Sequence, residues 1–587
     1  MRVNTRIVPS VPYAGPPPLP KTTTAWLTLV VLALSLLAVG GYCFTQQTLQ
    51  GFIATGLRNP GYGAGAWGLY IAFDVFFIGV SFAGITVAAL CRLFDIEALR
   101  PITRMAELLT ITALIAGACV VIADLGRPDH GLLKLPRFAN PSSPFYGTFT
   151  LVVAGYMFSS LVYFFLAGRA DAAALASDPK TPGRLFYRIW ASGYRDLPAQ
   201  RARHHRVSFW LALTILPLLV TAHSTLGFIF GIQGGRPGWY SALQAPAFVV
   251  LAGVSGTGML ILMVLGFRRL FALHDKIPDK SIRWLGNFMW ILALVYLYFM
   301  VVEELTASYA GPEADRHLAH EVVGGAFAPI FWTVAGCLFL TFAIPFLQYV
   351  RGKTSVRWVG IAGLLANVAA VGKRFLIVVP SQTHGALMPV EPPRAYEPTW
   401  VEYGLIAGLF GLIILAMLLF GRFFPLVPSP HPHGEARKSR EFKRRGIAFL
   451  VMLVALGLIV FGLADSFRML RPNEVDPMVP YAPVIFAAGV MLLFISAIVY
   501  EVLPERKPTP REEWRADQER RAAALAGRAP LIHPISNASR LNHLDIGKIV
   551  RATTAAEIAA RHGDTARAEA QLNEAETLLS KLIRRGS

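Results

Sequence analysis

Charged and titratable side chains are scarce in this chain, so their positions carry information. The segment Asp124-Leu125-Gly126-Arg127-Pro128-Asp129-His130 places two carboxylates, a guanidinium and an imidazole directly after a long apolar run. Other ionisable groups stand inside or at the ends of apolar stretches: Asp74, His223, Glu303-Glu304, Lys373-Arg374 and Asp465. Charge held in hydrocarbon is costly, so such residues mark a partner, water or a ligand. Carboxylates and histidine can exchange protons near neutral pH once burial tunes them. Arginine and lysine can hold a developing anion. That combination suits a lipid-soluble quinone, whose two oxygens need hydrogen-bond partners and two exchangeable protons in an apolar cleft. Trp67, Tyr70, Phe73, Phe76, Phe77 and Phe82 would offer aromatic surface to its ring. Each group also has a plainer reading. Asp465 and Glu304 would face loop water, Arg374 would snorkel to headgroups, His223 would be a satisfied core residue, and the aromatics would be ordinary packing.

The elements that position these groups are membrane-spanning helices. Hydrophobic residues make up 54% of the chain and charged ones 16%, with a mean hydropathy of +0.49, which excludes a wholly water-soluble globule. Apolar stretches of about twenty residues predict helical spans; the short alternating strands of a membrane barrel are missing. Twelve spans are expected: 26–44, 67–90, 104–123, 145–167, 208–230, 246–267, 286–306, 327–350, 358–379, 401–420, 447–465 and 480–500. The all-α polytopic chain divides into a Pro-rich basic tail (1–25), a ten-helix core (26–420), a basic loop (421–446), two additional spans (447–500) and a helical or partly disordered tail (501–587).

Basic residues cluster after the fourth, sixth, eighth and tenth spans, for example Arg184, Arg188 and Arg195, then Arg268 and Arg269, then Arg351 and Lys353, then Lys443 and Arg444. The positive-inside rule places these loops, and with them both termini, in the cytoplasm. It also accounts for the net charge of +19 without nucleic acid. Asp74, then about 10 Å deep at 1.5 Å per residue, joins Asp124, His223, Glu303, Lys373 and Arg374 in the outer third of the membrane. Glu107 is the clearest inner-half acid. With only Asn287 and Asn367 to help it, the inner half is too sparse to trace a proton route across.

Two short matches suggest an internal repeat. Gly79-Val80-Ser81 with Gly84 recurs as Gly253-Val254-Ser255 with Gly258, and Val153-Ala154-Gly155 recurs as Val334-Ala335-Gly336. Two parallel four-helix units, spans two to five and six to nine, would follow, with small residues allowing close helix approach.

The four cysteines are isolated, without the spacing of iron–sulfur or zinc ligands. Only His223 lies clearly within a span, so paired histidines for a haem are not expected. Without flavin, molybdenum or iron–sulfur motifs, redox work would need a partner that carries the electrons.

Five stretches, in order, resemble the NrfD/polysulfide-reductase membrane-subunit family, which includes the integral subunits of alternative complex III. They are Trp67-Gly68-Leu69-Tyr70-Ile71; Asp124-Leu125-Gly126-Arg127-Pro128; Ala222-His223-Ser224 with Pro237-Gly238-Trp239-Tyr240 and Pro246-Ala247-Phe248-Val249; Tyr298-Phe299 with Glu303 and Tyr309; and Asn367 through Arg374-Phe375-Leu376-Ile377-Val378, with Pro389, Tyr396, Pro398-Thr399 and Glu402. The resemblance implies two four-helix bundles in a bacterial inner membrane and a quinone site (menaquinone or ubiquinone) near the periplasmic face. It also implies a ferredoxin-like iron–sulfur subunit docked there, with a molybdopterin enzyme or multihaem cytochrome beyond. Asp124 and Arg127 match the family's acidic and arginine positions, and Arg374 its Arg-Phe pair. Phe82 stands where some relatives have histidine, and Lys373 replaces a frequent glutamate. The expected proton exchangers are Asp124, Asp74 and His223; the expected quinone contacts are Arg127, Arg374, Trp67, Tyr70, Phe82, Glu303 and Lys373. The rival readings are a twelve-helix secondary transporter, whose coupling residues should gather at the midplane, and a purely structural membrane anchor.

Overall fold

The structure is a computed structural model that describes residues 22–57, 66–126, 129, 155–179, 181–195, 198–383, 396–428, 442–468, 482–502 and scattered positions between 551 and 577. The helices in order are α1 (Thr24–Gln50), α2 (Leu69–Phe94), α3 (Thr103–Asp124), α4 (Phe158–Ser177), α5 (Arg184–Ala191), α6 (Pro198–Gly231), α7 (Gln244–Leu270) and α8 (Asp279–Ala310). They continue with α9 (Glu313–Val323), α10 (Ala328–Val350), α11 (Val356–Val378), α12 (Pro380–Thr383), α13 (Trp400–Phe423), α14 (Phe442–Arg468) and α15 (Ala482–Val502). No strand occurs among the described residues.

Among the described residues, eleven helices are long and apolar enough to cross a bilayer. The expected segment 447–465 forms α14, whose apolar stretch among the described residues is Leu450–Gly462. Among the described residues the fourth span covers Gly155–Ser177, and so runs past its expected end at 167. It extends past the apolar run because Arg169 and Asp171 on it find buried partners. The expected tail helices over 541–583 lie outside the described residues, isolated helical positions apart.

Packing arranges the core as two rings of four helices. In the first, α2 meets α3 and α6, and α4 meets both of these; in the second, α7 meets α8 and α11, and α10 meets both of these. The rings join where α2 packs on α7 and α11, and α6 on α7. The repeated glycine motifs form that junction. A Cβ on Gly79 would lie 3.5 Å from Ser255 Oγ, and one on Gly256 only 2.7 Å from the Val80 carbonyl. Residues matched in sequence thus face each other across the seam. As a result α2 is buried along nearly its whole length.

Flanking helices close the assembly. Gly40 and Gly408 bring α1 and α13 together so closely that a Cβ on Gly40 would sit 2.6 Å from Gly408 Cα. Helix α13 begins with a capping box, in which Glu402 accepts the Thr399 N–H at 3.0 Å. At the far end, α15 docks on α4 and α6 through Glu501, which accepts from Arg169 and meets His204, both at 2.8 Å. Arg104 of α3 pairs with Asp171 of α4, and both are buried. Charges taken out of water need such partners.

On α2, Gly84 sits so close to α3 that a Cβ there would strike the Ala106 carbonyl and Thr110 Oγ1. Gly84→Leu is expected to destabilise the protein by about 1–3 kcal/mol or more through overpacking. Gly457→Leu on α14, where a Cβ meets nothing within 4 Å, should leave stability unchanged. Thermal unfolding of the detergent-solubilised chain measures both.

Candidate functional site

The polar groups at the Asp124 end of the bundle are positioned by α2 and its neighbours. Asp74 lies on the side of α2 that meets α3, where Gly117 leaves it room: a Cβ there would be 3.3 Å from Asp74 Oδ1. That buried oxygen has no hydrogen-bond partner among the described residues. Asp124, buried at the end of α3, acts electrostatically on both Asp74 and Tyr70. Tyr70 donates to Gln47 Oε1 at 2.6 Å, and Gln47 Nε2 donates to the Ala123 carbonyl at 2.7 Å. The Gln47 amide on α1 therefore fixes the tyrosine and the end of α3 together.

Trp67 holds the start of α2 in place. Its ring stacks on Trp239 at 5.7 Å and 19° and meets the Phe230 ring edge-on at 5.9 Å. Its backbone N–H and carbonyl are both bonded by Gln382, at 3.1 and 2.8 Å. Nearby, Tyr396 donates to Glu402 and accepts the Leu69 N–H at 2.8 Å. Burial and the adjacent Glu402 carboxylate hold the Tyr396 phenol far above its ordinary range, so it stays a neutral donor.

On another face of α2, Arg374 of α11 reaches in against Gly79 and lies over the Phe248 ring at 4.6 Å. It is 2% exposed, and its Nε and Nη1 have no partner among the described residues. It acts electrostatically on His223 and Tyr296. Both ring nitrogens of His223 face backbone carbonyls, Nδ1 that of Leu219 at 2.8 Å and Nε2 that of Ile78 at 2.9 Å. Neither nitrogen is left to meet a ligand directly. Phe82 packs edge-on against that imidazole at 5.3 Å, and Tyr156 at 5.9 Å. The ring is therefore set in the core.

The expected residues thus form three groups. Asp74, Asp124 and Tyr70 lie together, and Arg374, His223 and Phe82 lie together on the other face of α2. Lys373 turns away and pairs with Glu303 of α8 at 2.8 Å, near Glu304 and Tyr296. Arg127 lies outside the described residues, and Asp465 falls in α14, where its side chain is outside them. Sequence reasoning passed over Gln47, Tyr156 and Tyr296. Each is a single polar residue in an apolar helix, and only its placement on a helix face singles it out.

Fold and site together define a polytopic helical membrane protein with a buried carboxyl, Asp74, and a buried guanidinium, Arg374, at one end of a doubled four-helix core. The chain belongs to the NrfD family: the profile described as "Polysulphide reductase, NrfD" matches residues 60–386. It is 33% identical over 286 residues to a putative dimethyl sulfoxide reductase membrane subunit of Halobacterium salinarum, covering 48% of this chain and 60% of that protein. It is 26% identical over 379 residues to a selenate reductase subunit of Mesobacillus selenatarsenatis, covering 62% and 86%. It is 25% identical over 424 residues to the Hdr-like menaquinol oxidoreductase integral membrane subunit of Archaeoglobus fulgidus, covering 69% and 94%.

Tyr396→Phe removes the acceptor for the Leu69 N–H and a donor to Glu402, and should cost about 1–3 kcal/mol of stability. The change should also soften the alkaline loss of stability. The unfolded tyrosine ionises near pH ~10 while the folded one does not, so stability falls as pH rises above that value. Unfolding curves between neutral and alkaline pH read both effects.

Proposed function

We propose that the chain is the quinone-interacting integral membrane subunit of a multisubunit electron-transfer oxidoreductase. The observation that carries this reading is the Arg374 guanidinium, buried on a phenylalanine ring with two nitrogens unpartnered among the described residues. Arginine cannot shed its charge in a protein, and a buried cation without an anion is expensive. A group that gains negative charge during its reaction would meet that need. Asp74 offers the complementary half, a carboxyl oxygen with no hydrogen-bond partner among the described residues and a second carboxylate, Asp124, near it.

A bound quinone would supply two-electron, two-proton chemistry. Arg374 would hold charge developing on an oxygen, while Asp74, with Asp124, would give or take the protons. Trp67 and Tyr70 would border the headgroup; Tyr70, tied by Gln47, keeps a fixed position. His223, whose imidazole lies between the Leu219 and Ile78 carbonyls and donates to one of them, acts as a positioning residue for α2. The Lys373–Glu303 pair would shape the local field. Arg127 would add a second cation beside Asp124.

The relatives' names support a place beside reductase subunits, and one of them names menaquinol. We place the Asp124 end at the periplasmic face, since the basic loops gather at the other end. An iron–sulfur subunit docking there would carry electrons to or from the site, with a molybdopterin or multihaem subunit beyond it.

Asp74→Asn should lower quinol-linked electron transfer about 100-fold while the complex assembles normally. Arg374→Gln should weaken quinone binding and turnover together. Unchanged turnover in both variants would turn the chain into a structural anchor, and solute uptake by the chain purified alone would make it a transporter.

A further inference from the structure

Arg283 and Asn287 stand one turn apart on α8, at the opposite end of the second ring from Lys373 and Glu303. Beside them a cavity of about 220 Å³ lies between the start of α8, the end of α10, the turn after it and the start of α11. Arg283, Asn287, Gln348, Tyr349 and Thr354 supply its polar side chains. Two glycines shape it. A Cβ on Gly286 would stand 3.1 Å from Val359 Cγ1, so the glycine lets α8 approach α11. Gly352, at φ +64°, turns the chain out of α10.

The chemistry of this wall is one-sided. No carboxylate lines it among the described residues. Arg268, at the same end of the bundle, takes Asp279 at 2.6 Å, whereas Arg283 makes no ion pair among the described residues. The Gln348 amide is oriented by the Ser355 N–H, which donates to its Oε1 at 2.8 Å. Its Nε2 is left as a buried donor with no partner among the described residues. Lys280, Arg351, Lys353 and Arg357 stand exposed on the flanking segments. Cations and N–H donors together select an anion.

The depth of the cavity narrows the choice of anion. The expected spans 286–306, 327–350 and 358–379 all begin or end at it, which puts it at the headgroup level of the bilayer. Tyr349 is 62% exposed there, the placement of an interfacial aromatic. Along the α8–α10 seam, Trp290 meets the Phe346 ring at 5.3 Å and the Phe342 ring at 6.2 Å, and the two phenylalanines stack at 5.1 Å. Polar donors thus adjoin an aromatic surface between helices whose other faces meet lipid, and basic pockets so placed hold acidic headgroups.

We propose that this cavity binds the phosphate of an anionic phospholipid. Arg283 is the charged contact, Asn287 and Gln348 donate to the phosphate oxygens, and the acyl chains lie along the aromatic seam of α8 and α10. A free phosphate would answer the donors but not the seam. The site is remote from the Asp74 end and stands or falls independently of the quinone reading.

Native mass spectrometry of the full chain, delipidated in detergent and titrated with dioleoyl phosphatidylglycerol, tests this. The wild type should retain one such lipid about tenfold more tightly than dioleoyl phosphatidylcholine. Arg283→Gln and Asn287→Leu should each weaken that binding by about tenfold or more. Arg316→Gln, an exposed arginine on α9, should leave it unchanged. Wild-type affinity in Arg283→Gln, an equal loss in Arg316→Gln, or equal affinity for phosphatidylcholine would overturn the site. Inorganic phosphate that displaces the lipid at equal concentration would overturn the lipid as its ligand and leave a free-phosphate site. Should Arg283→Gln not fold, Asn287→Leu decides, and undiminished affinity there overturns the proposal.

Discussion

Helix α2 has no water-facing side, so every polar group on it must be answered by a neighbouring helix or remain unanswered at high cost. The rest of the core is arranged around that constraint. Gly84 admits α3, Gly256 admits the α2 backbone to α7, and Gly117 makes room for a carboxyl. Where answers exist they are specific: Tyr70 has Gln47, the Ile78 carbonyl has His223, and the Ser81 carbonyl has two hydroxyls. Where none is found among the described residues, at Asp74 Oδ1 and at Arg374 Nε and Nη1, the same physics that makes an orphan costly makes it informative.

The two ends of the bundle solve the charge problem differently. At the basic-loop end, Arg104 with Asp171 and Arg169 with Glu501 are buried ion pairs that lock one helix to another. At the Asp124 end, backbone clamps at Trp67 and Tyr396 do the locking, which leaves Asp74 and Arg374 out of structural service. Rigidity and availability are thus supplied by different residues, as a preorganised site requires.

Much of the fold was legible in the chain because hydrocarbon imposes a simple length rule. The α2 and α7 segments and the repeat that joins them follow from apolar runs and the Gly-Val-Ser motif. The fourth span runs past its expected end because Arg169 and Asp171, which end an apolar run, are paired inside the protein. The site was legible as a set of residues and less so as an arrangement. Lys373 and Arg374 are adjacent in sequence but point to different helices, and depth alone could not show that His223 lies between two backbone carbonyls. Glu107 looked solitary because Arg92, which acts on it, comes from α2.

The facing Gly-Val-Ser motifs bear on the ancestry of the molecule. In the register that superposes Gly79 on Gly253, Asp74 corresponds to Phe248, the ring on which Arg374 rests. An ancestral half, once duplicated, would have begun with the same residue at both places. Divergence then left one copy with the acid and the other with the apolar seat for a cation. The doubled architecture is therefore symmetric in its backbone and polarised in its chemistry, a division of labour that neither half could achieve while identical to the other.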